Sequence, residues 1–121
     1  MLQKFAVVFG VVFVIIGILG FIPAVSPQGH LLGIFHINAA HNLVHIVSGL
    51  IALWCGFNSY MYSQVFFRIF GAIYLVVAAL GFYYGNQDIL GLVANNMADT
   101  WLHVVVAALS LYLGFAYQSA D

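Results

Sequence analysis

The sequence predicts an all-α integral membrane protein: an antiparallel bundle of four spanning helices built from two parallel two-helix repeats. Three observations predict it. Of 121 residues, 65% are hydrophobic and 4% are charged, against roughly 25% charged in a soluble domain. A soluble surface of this size needs charge to stay hydrated, so this apolar excess belongs in lipid. The apolar residues also fall into four runs of about twenty, the length that crosses the hydrocarbon core. Finally, a motif near the middle of the chain returns, altered, near its end. A chain this short is expected to form one domain, residues 1–121.

The first span covers residues 5–22, a stretch without charge from Phe5 to Ile22. It reads as a spanning helix and not as a cleaved leader. The apolar run is long for a signal peptide, and the Ala-Val-Ser before Pro27 makes a poor cleavage site. Pro23 and Pro27 are expected to stop it, because proline cannot continue the hydrogen-bond ladder. Residues 24–37 form the longest connection. Leu31, Leu32, Ile34 and Phe35 make part of it apolar, which predicts that it lies in the membrane interface. Its two histidines, His30 and His36, read as loop residues in preference to outer ligands.

The second span covers residues 39–57. Asn38 is the expected N-cap, and Gly56 and Asn58 are stop signals. A polar turn from Asn58 to Gln64 is expected next, with Tyr60 and Tyr62 as interfacial aromatics. The third span, residues 65–83, carries Gly71, Ala72, Ala78, Ala79 and Gly81, small residues that let helices approach closely in lipid. A loop holding Asp88 leads to Asn96, the expected cap of the fourth span at residues 97–117. The cations Lys4 and Arg68 belong to the same side of the bundle. The positive-inside rule makes that side cytoplasmic, and both termini with it.

The recurring motif is Asn38-Ala39-Ala40-His41-Asn42-Leu43-Val44-His45, which returns as Asn96-Met97-Ala98-Asp99-Thr100-Trp101-Leu102-His103. A shift of 58 residues also carries Gly33, Val47 and Leu53 onto Gly91, Val105 and Leu111. A shift of 61 carries Gly10, Gly20 and Phe21 onto Gly71, Gly81 and Phe82. The predicted unit is therefore a pair of spans used twice. An even number of spans per unit gives a parallel repeat about an axis along the membrane normal. Related residues then lie at equal depth, so His45 should face His103, and His41 should face Asp99.

Residues four apart share a helix face. His41 and His45 share one on the second span, and Asp99 and His103 share one on the fourth. At ~1.5 Å per residue, His45 lies on the order of 10 Å past its cap, at or within the hydrocarbon edge. Imidazoles at that depth are costly against lipid and are expected to face the bundle interior. Imidazole and carboxylate together suit zinc, copper, iron or nickel. His41, His45, Asp99 and His103 are therefore the candidate metal ligands, with Asn42 and Thr100 expected to support them. Two other readings stay open. The four can form a metal-free hydrogen-bonded or proton-carrying cluster, in which Asp99 simply meets the helix dipole. Alternatively, His45 and His103 can ligate a tetrapyrrole, haem or chlorophyll.

The net charge of −1 argues against nucleic acid as a partner. The single cysteine, Cys55, cannot form an internal disulfide and reads as a packing residue. No nucleophile stands beside a base, and no glycine-rich phosphate loop follows a strand. Ser48 reads as a helix–helix hydrogen-bonding residue.

At these motifs the chain resembles a family of small bacterial membrane proteins, domain of unknown function 4383. The resemblance spans most of the chain and is strongest at Leu32-Gly33-Ile34-Phe35, Asn38 to His45 and Asn96 to His103. The family pattern reads Asn-Pro-x-His-Asn-x-x-His and Asn-Pro-Ala-Asp-Asn-x-x-His. Here Ala39 and Met97 stand at the proline positions, and Thr100 replaces an asparagine. Proline in the first helical turn only pre-sets φ, so its absence should leave the ligand face intact. The resemblance implies a four-span fold in a bacterial inner or thylakoid-type membrane and no particular activity.

The functional expectation is a membrane protein that binds a transition metal, with no enzyme activity claimed. The alternative is an accessory subunit of a larger respiratory or photosynthetic complex, with partner helices packed on its small-residue and aromatic faces. A proton or ion path through the bundle is a third possibility.

Overall fold

The computed structural model describes residues 1–117. Helix α1 runs Leu2–Leu19, α2 Ala39–Asn58, α3 Tyr60–Tyr84 and α4 Met97–Leu111, the last continued by a π-helical turn at Tyr112–Ala116. With α4 taken through Ala116, all four are long and apolar enough to cross a membrane. The architecture is all-α apart from a two-stranded antiparallel ribbon between α1 and α2. Its strands are β1, His30–Leu31, and β2, Phe35–His36.

Glycines set how the helices meet. A Cβ on Gly10 would lie 2.7 Å from the Gly49 carbonyl oxygen, one on Gly17 2.8 Å from that of Asn42, and one on Gly56 2.9 Å from that of Gln3. The sequence positions on α1 rise as those on α2 fall, so the pair is antiparallel with its backbones in direct contact. Helices α3 and α4 meet the same way. A Cβ on Gly71 would lie 3.0 Å from the Leu111 nitrogen, and one on Gly114 2.8 Å from the Arg68 nitrogen. Close approach through small residues is the usual source of helix association in lipid, where burying apolar surface gains nothing. Of the small residues expected to serve in α3, Gly71, Ala78 and Gly81 are buried, whereas Ala72 and Ala79 face outward.

The bundle is apolar outside, and its buried polar side chains are gathered mainly at one end of the interior. Val8, Ile15, Trp54, Leu75, Trp101 and Phe115 are among its exposed large side chains, as suits a lipid-facing surface. The interior has two zones. Toward the termini it is filled by aromatic rings. Phe9 stacks on Phe13 at 4.2 Å and Phe66 on Phe70 at 4.9 Å, while Phe70 lies against Tyr74 at 4.3 Å. Toward the long connections it holds His41, Asn42, His45, Asn95, Asp99, Thr100 and His103, all buried.

Several boundaries differ from expectation. Helix α1 ends at Leu19, before either proline. The chain turns there through Ile22–Ser26 hydrogen bonding, and the Ser26 hydroxyl donates to the Leu19 carbonyl, replacing the helical partner. The expected turn at 58–64 shrinks to Ser59, which ends α2 and caps α3 by accepting from the Tyr62 N–H at 3.0 Å. Helix α3 therefore has 25 residues, about 37 Å of helix.

The two long connections are built alike. In one, Leu32 and Gly33 have φ of 56° and 74° between the paired residues Leu31 and Phe35. In the other, Leu90 and Gly91 have φ of 54° and 70° between the bridged residues Ile89 and Val93. Each connection also accepts a side chain from the other helix pair. Asn38 Nδ2 donates to the Leu92 carbonyl at 3.1 Å, and Asn96 Nδ2 donates to the Ile34 carbonyl at 2.9 Å. The 58-residue shift carries Asn38 to Asn96 and Ile34 to Leu92, so the bonds are reciprocal.

Candidate metal centre

Each of the two site helices begins with a capped turn that fixes its rotation. The Asn38 side chain accepts from the His41 N–H at 2.9 Å, and the Asn96 side chain accepts from the Asp99 N–H at 2.9 Å. These are the expected N-caps, each satisfying a donor that the first helical turn leaves free. With both starts fixed, position 45 of α2 and position 103 of α4 turn toward each other inside the bundle.

The structure brings three of the four predicted ligands together. One ligand atom from each of His41, His45 and His103 lies within 4.8 Å of the others. The three residues are 3%, 6% and 5% exposed, so neither lipid nor bulk water surrounds the rings. His41 and His45 meet edge to face at 4.6 Å, and His41 tilts against His103 at 5.9 Å. Phe13 closes on His45 at 5.2 Å and Tyr74 on His103 at 5.2 Å. These two rings form the floor between the histidines and the aromatic zone.

Hydrogen bonding assigns the nitrogens. His41 Nδ1 lies 2.9 Å from the carbonyl of Ala94. A carbonyl only accepts, so Nδ1 carries the proton and Nε2 presents a lone pair. A backbone carbonyl on one imidazole nitrogen is the usual means of aiming the other at a metal. The Nδ1 atoms of His45 and His103 are buried without any hydrogen-bond partner. Buried ring nitrogens of this kind are normally satisfied by protein, water or an ion. Two unsatisfied imidazoles beside a third whose free nitrogen is fixed make a donor set that fits a cation.

Asp99 is placed differently. It is 2% exposed, and its Oδ2 accepts from the Asn96 N–H at 3.0 Å, completing a reciprocal capping box. Its carboxylate is not part of the histidine group. The main chain of His36, in β2, lies beside both that carboxylate and the His41 ring. The expected supporting roles of Asn42 and Thr100 take another form. Thr100 Oγ1 donates to Asn95 Oδ1 at 3.3 Å and to the Asn96 carbonyl at 3.2 Å. Asn42 packs under Gly20, with its Oδ1 unpartnered. Among the described residues no hydrogen bond joins either to a histidine ring.

A family model described as a domain of unknown function (DUF4383) matches residues 3–116. The chain belongs to that family. Comparison with curated proteins and with solved structures found no match. Within this DUF4383 chain, sequence reasoning missed Ala94, Phe13 and Tyr74. Ala94 acts through its carbonyl, which no side-chain motif marks. For the aromatic pair a signal existed, because the shift of 61 that relates Gly10 to Gly71 also relates Phe13 to Tyr74.

Proposed function

We propose that this DUF4383 protein binds one transition-metal ion through His41, His45 and His103. The observation that carries the reading is the pair of buried, unpartnered Nδ1 atoms beside a third histidine whose Nε2 is freed by the Ala94 carbonyl. Neutral imidazoles suit zinc, copper, iron or nickel. Three protein ligands leave a position open for water or another molecule, as in zinc sites that do chemistry and unlike closed structural ones. A tetrapyrrole fits the arrangement less well. A macrocycle between His45 and His103 needs a flat slot, and the His41 ring lies against both of theirs. A path through the bundle is also disfavoured, because Phe13, Tyr74 and the stacked rings behind them fill the interior. The test is metal analysis of the purified protein with paired histidine substitutions.

We also read the chain as one two-helix unit used twice. The reciprocal Asn38–Leu92 and Asn96–Ile34 bonds support this, as do the matching positive-φ pairs in the two connections. On this reading the site sits near the axis relating the halves, and Asp99 holds the place that His41 holds in the other.

The reading as a subunit of a larger complex draws on two apolar grooves open to the sides. One lies between α1 and α4, with a volume of about 550 Å³, and one between α2 and α3, with about 530 Å³. Copurification of a second polypeptide in mild detergent tests it.

A further inference from the structure

We propose that Arg68 holds the phosphate of an anionic phospholipid in the leaflet that faces the chain termini. Arg68 lies on α3 and is half-buried. Its Nε donates to the Gly114 carbonyl at 2.7 Å. That oxygen belongs to the π-helical last turn of α4, where carbonyls lack a partner within the helix. Gly114 also makes room for the arginine. A Cβ there would lie 2.8 Å from both the Arg68 nitrogen and its Cγ. The guanidinium carbon sits over the Phe115 ring, 4.9 Å from its centroid, where the face of the ring attracts a cation. Nε and the centre of the group are thereby held in place. Among the described residues, no hydrogen bond or ion pair engages the two terminal nitrogens.

Depth and charge identify the occupant. Arg68 stands about 12 Å along α3 from its start at Tyr60, and long helical side chains lean toward the helix N-terminus. Helix α3, about 37 Å long, outruns a hydrocarbon core of about 30 Å. The guanidinium is therefore carried to the boundary between acyl chains and lipid phosphates. Water is scarce at that level, and a guanidinium with two unmet donor groups is costly unless an anion meets it. Lys4 stands at the same end of the bundle, whereas the described acidic residues, Asp88 and Asp99, both lie at the other. No described carboxylate therefore balances the arginine. The planar fork of arginine matches two phosphate oxygens at once, and basic groups at this level draw anionic lipid. A soluble phosphate presents the same oxygens. Phe115, 65% exposed beside the charge, adds an apolar surface that only a ligand with acyl chains can cover.

The experiment is native mass spectrometry of the detergent-purified protein, titrated with phosphatidylglycerol or with phosphatidylcholine of the same acyl chains. Wild type is expected to retain one phosphatidylglycerol about fivefold more tightly than phosphatidylcholine. Arg68→Gln should weaken phosphatidylglycerol binding about tenfold. Arg68→Lys, which keeps the charge without the fork, should weaken it at least about threefold. Lys4→Gln should leave it unchanged, and circular dichroism checks the helices of each variant. A wild type without preference between the two lipids would overturn the proposal, as would a folded Arg68→Gln that binds like wild type. Equal losses in Lys4→Gln and Arg68→Gln would replace the site with diffuse charge attraction. Displacement of the lipid by glycerol 3-phosphate would replace it with a soluble ligand. If Arg68→Gln loses its helices, Arg68→Lys decides, and binding there as tight as in wild type would overturn the role of the fork.

Discussion

His41 donates its Nδ1 proton to the carbonyl of Ala94 at 2.9 Å. The connection leading into α4 thus fixes the ring that α2 contributes to the site. With Nδ1 engaged, His41 keeps a lone pair on Nε2, and one nitrogen from each of the three rings lies within 4.8 Å of the others.

Asp99 separates ligation from capping. Its carboxylate accepts the Asn96 N–H and lies outside the histidine group. Asp99→Asn keeps an acceptor for that N–H. It should change metal affinity less than about threefold, where loss of a bound or supporting group costs about 10–100-fold. Competition titration with a chromophoric chelator measures this. A loss of tenfold or more would return Asp99 to the ligand set.

Asn38 and Asn96 each cap a helix and reach across to the opposite connection. Removing either side chain costs a cap, about 1 kcal/mol, and a hydrogen bond, about 1 kcal/mol more. Asn38→Ala and Asn96→Ala should each lower stability by about 2 kcal/mol. Reversible unfolding in mixed micelles reads the loss. Unchanged stability in either variant would mean that the crossing bonds do not hold the two helix pairs in register.

Gly10 and Gly33 should respond differently to alanine. At Gly10 the new Cβ meets the Gly49 carbonyl oxygen at 2.7 Å, and backbone cannot step aside. Gly10→Ala should cost about 1–3 kcal/mol by forcing α1 and α2 apart. At Gly33 nothing lies within 4 Å, but φ is +74°, so Gly33→Ala should cost only the left-handed strain, about 1–2 kcal/mol. Melting curves on both variants test the assignment, and a Gly10→Ala protein as stable as wild type would contradict the backbone contact.

Much of this was legible in the sequence because lipid imposes simple rules. Four apolar runs gave four helices, and Asn38 and Asn96 marked two of their starts within the described residues. The 58-residue shift predicts His45 opposite His103, and the structure brings the two into one histidine group. Ends set by tertiary contacts were not legible. Ser59 looked like one residue of a longer turn, yet it closes α2 and opens α3 at once. The ribbon at His30–His36 arises from left-handed residues at Leu32 and Gly33, and leucine gives no warning of that conformation. Asp99 and His41 share a helical position but diverge in use. One folds back on its own cap and the other crosses to Ala94, a choice made by partner backbone that spacing does not encode.

The most direct test of the metal site is elemental analysis of the detergent-purified protein, wild type beside His45→Ala/His103→Ala, with helical content checked by circular dichroism on the same samples. The account predicts close to one ion of zinc, copper, iron or nickel per chain in wild type, and its loss from a double variant that keeps its helices. A wild-type protein that holds no metal even after incubation with these ions, or a folded double variant that holds as much as wild type, would contradict it.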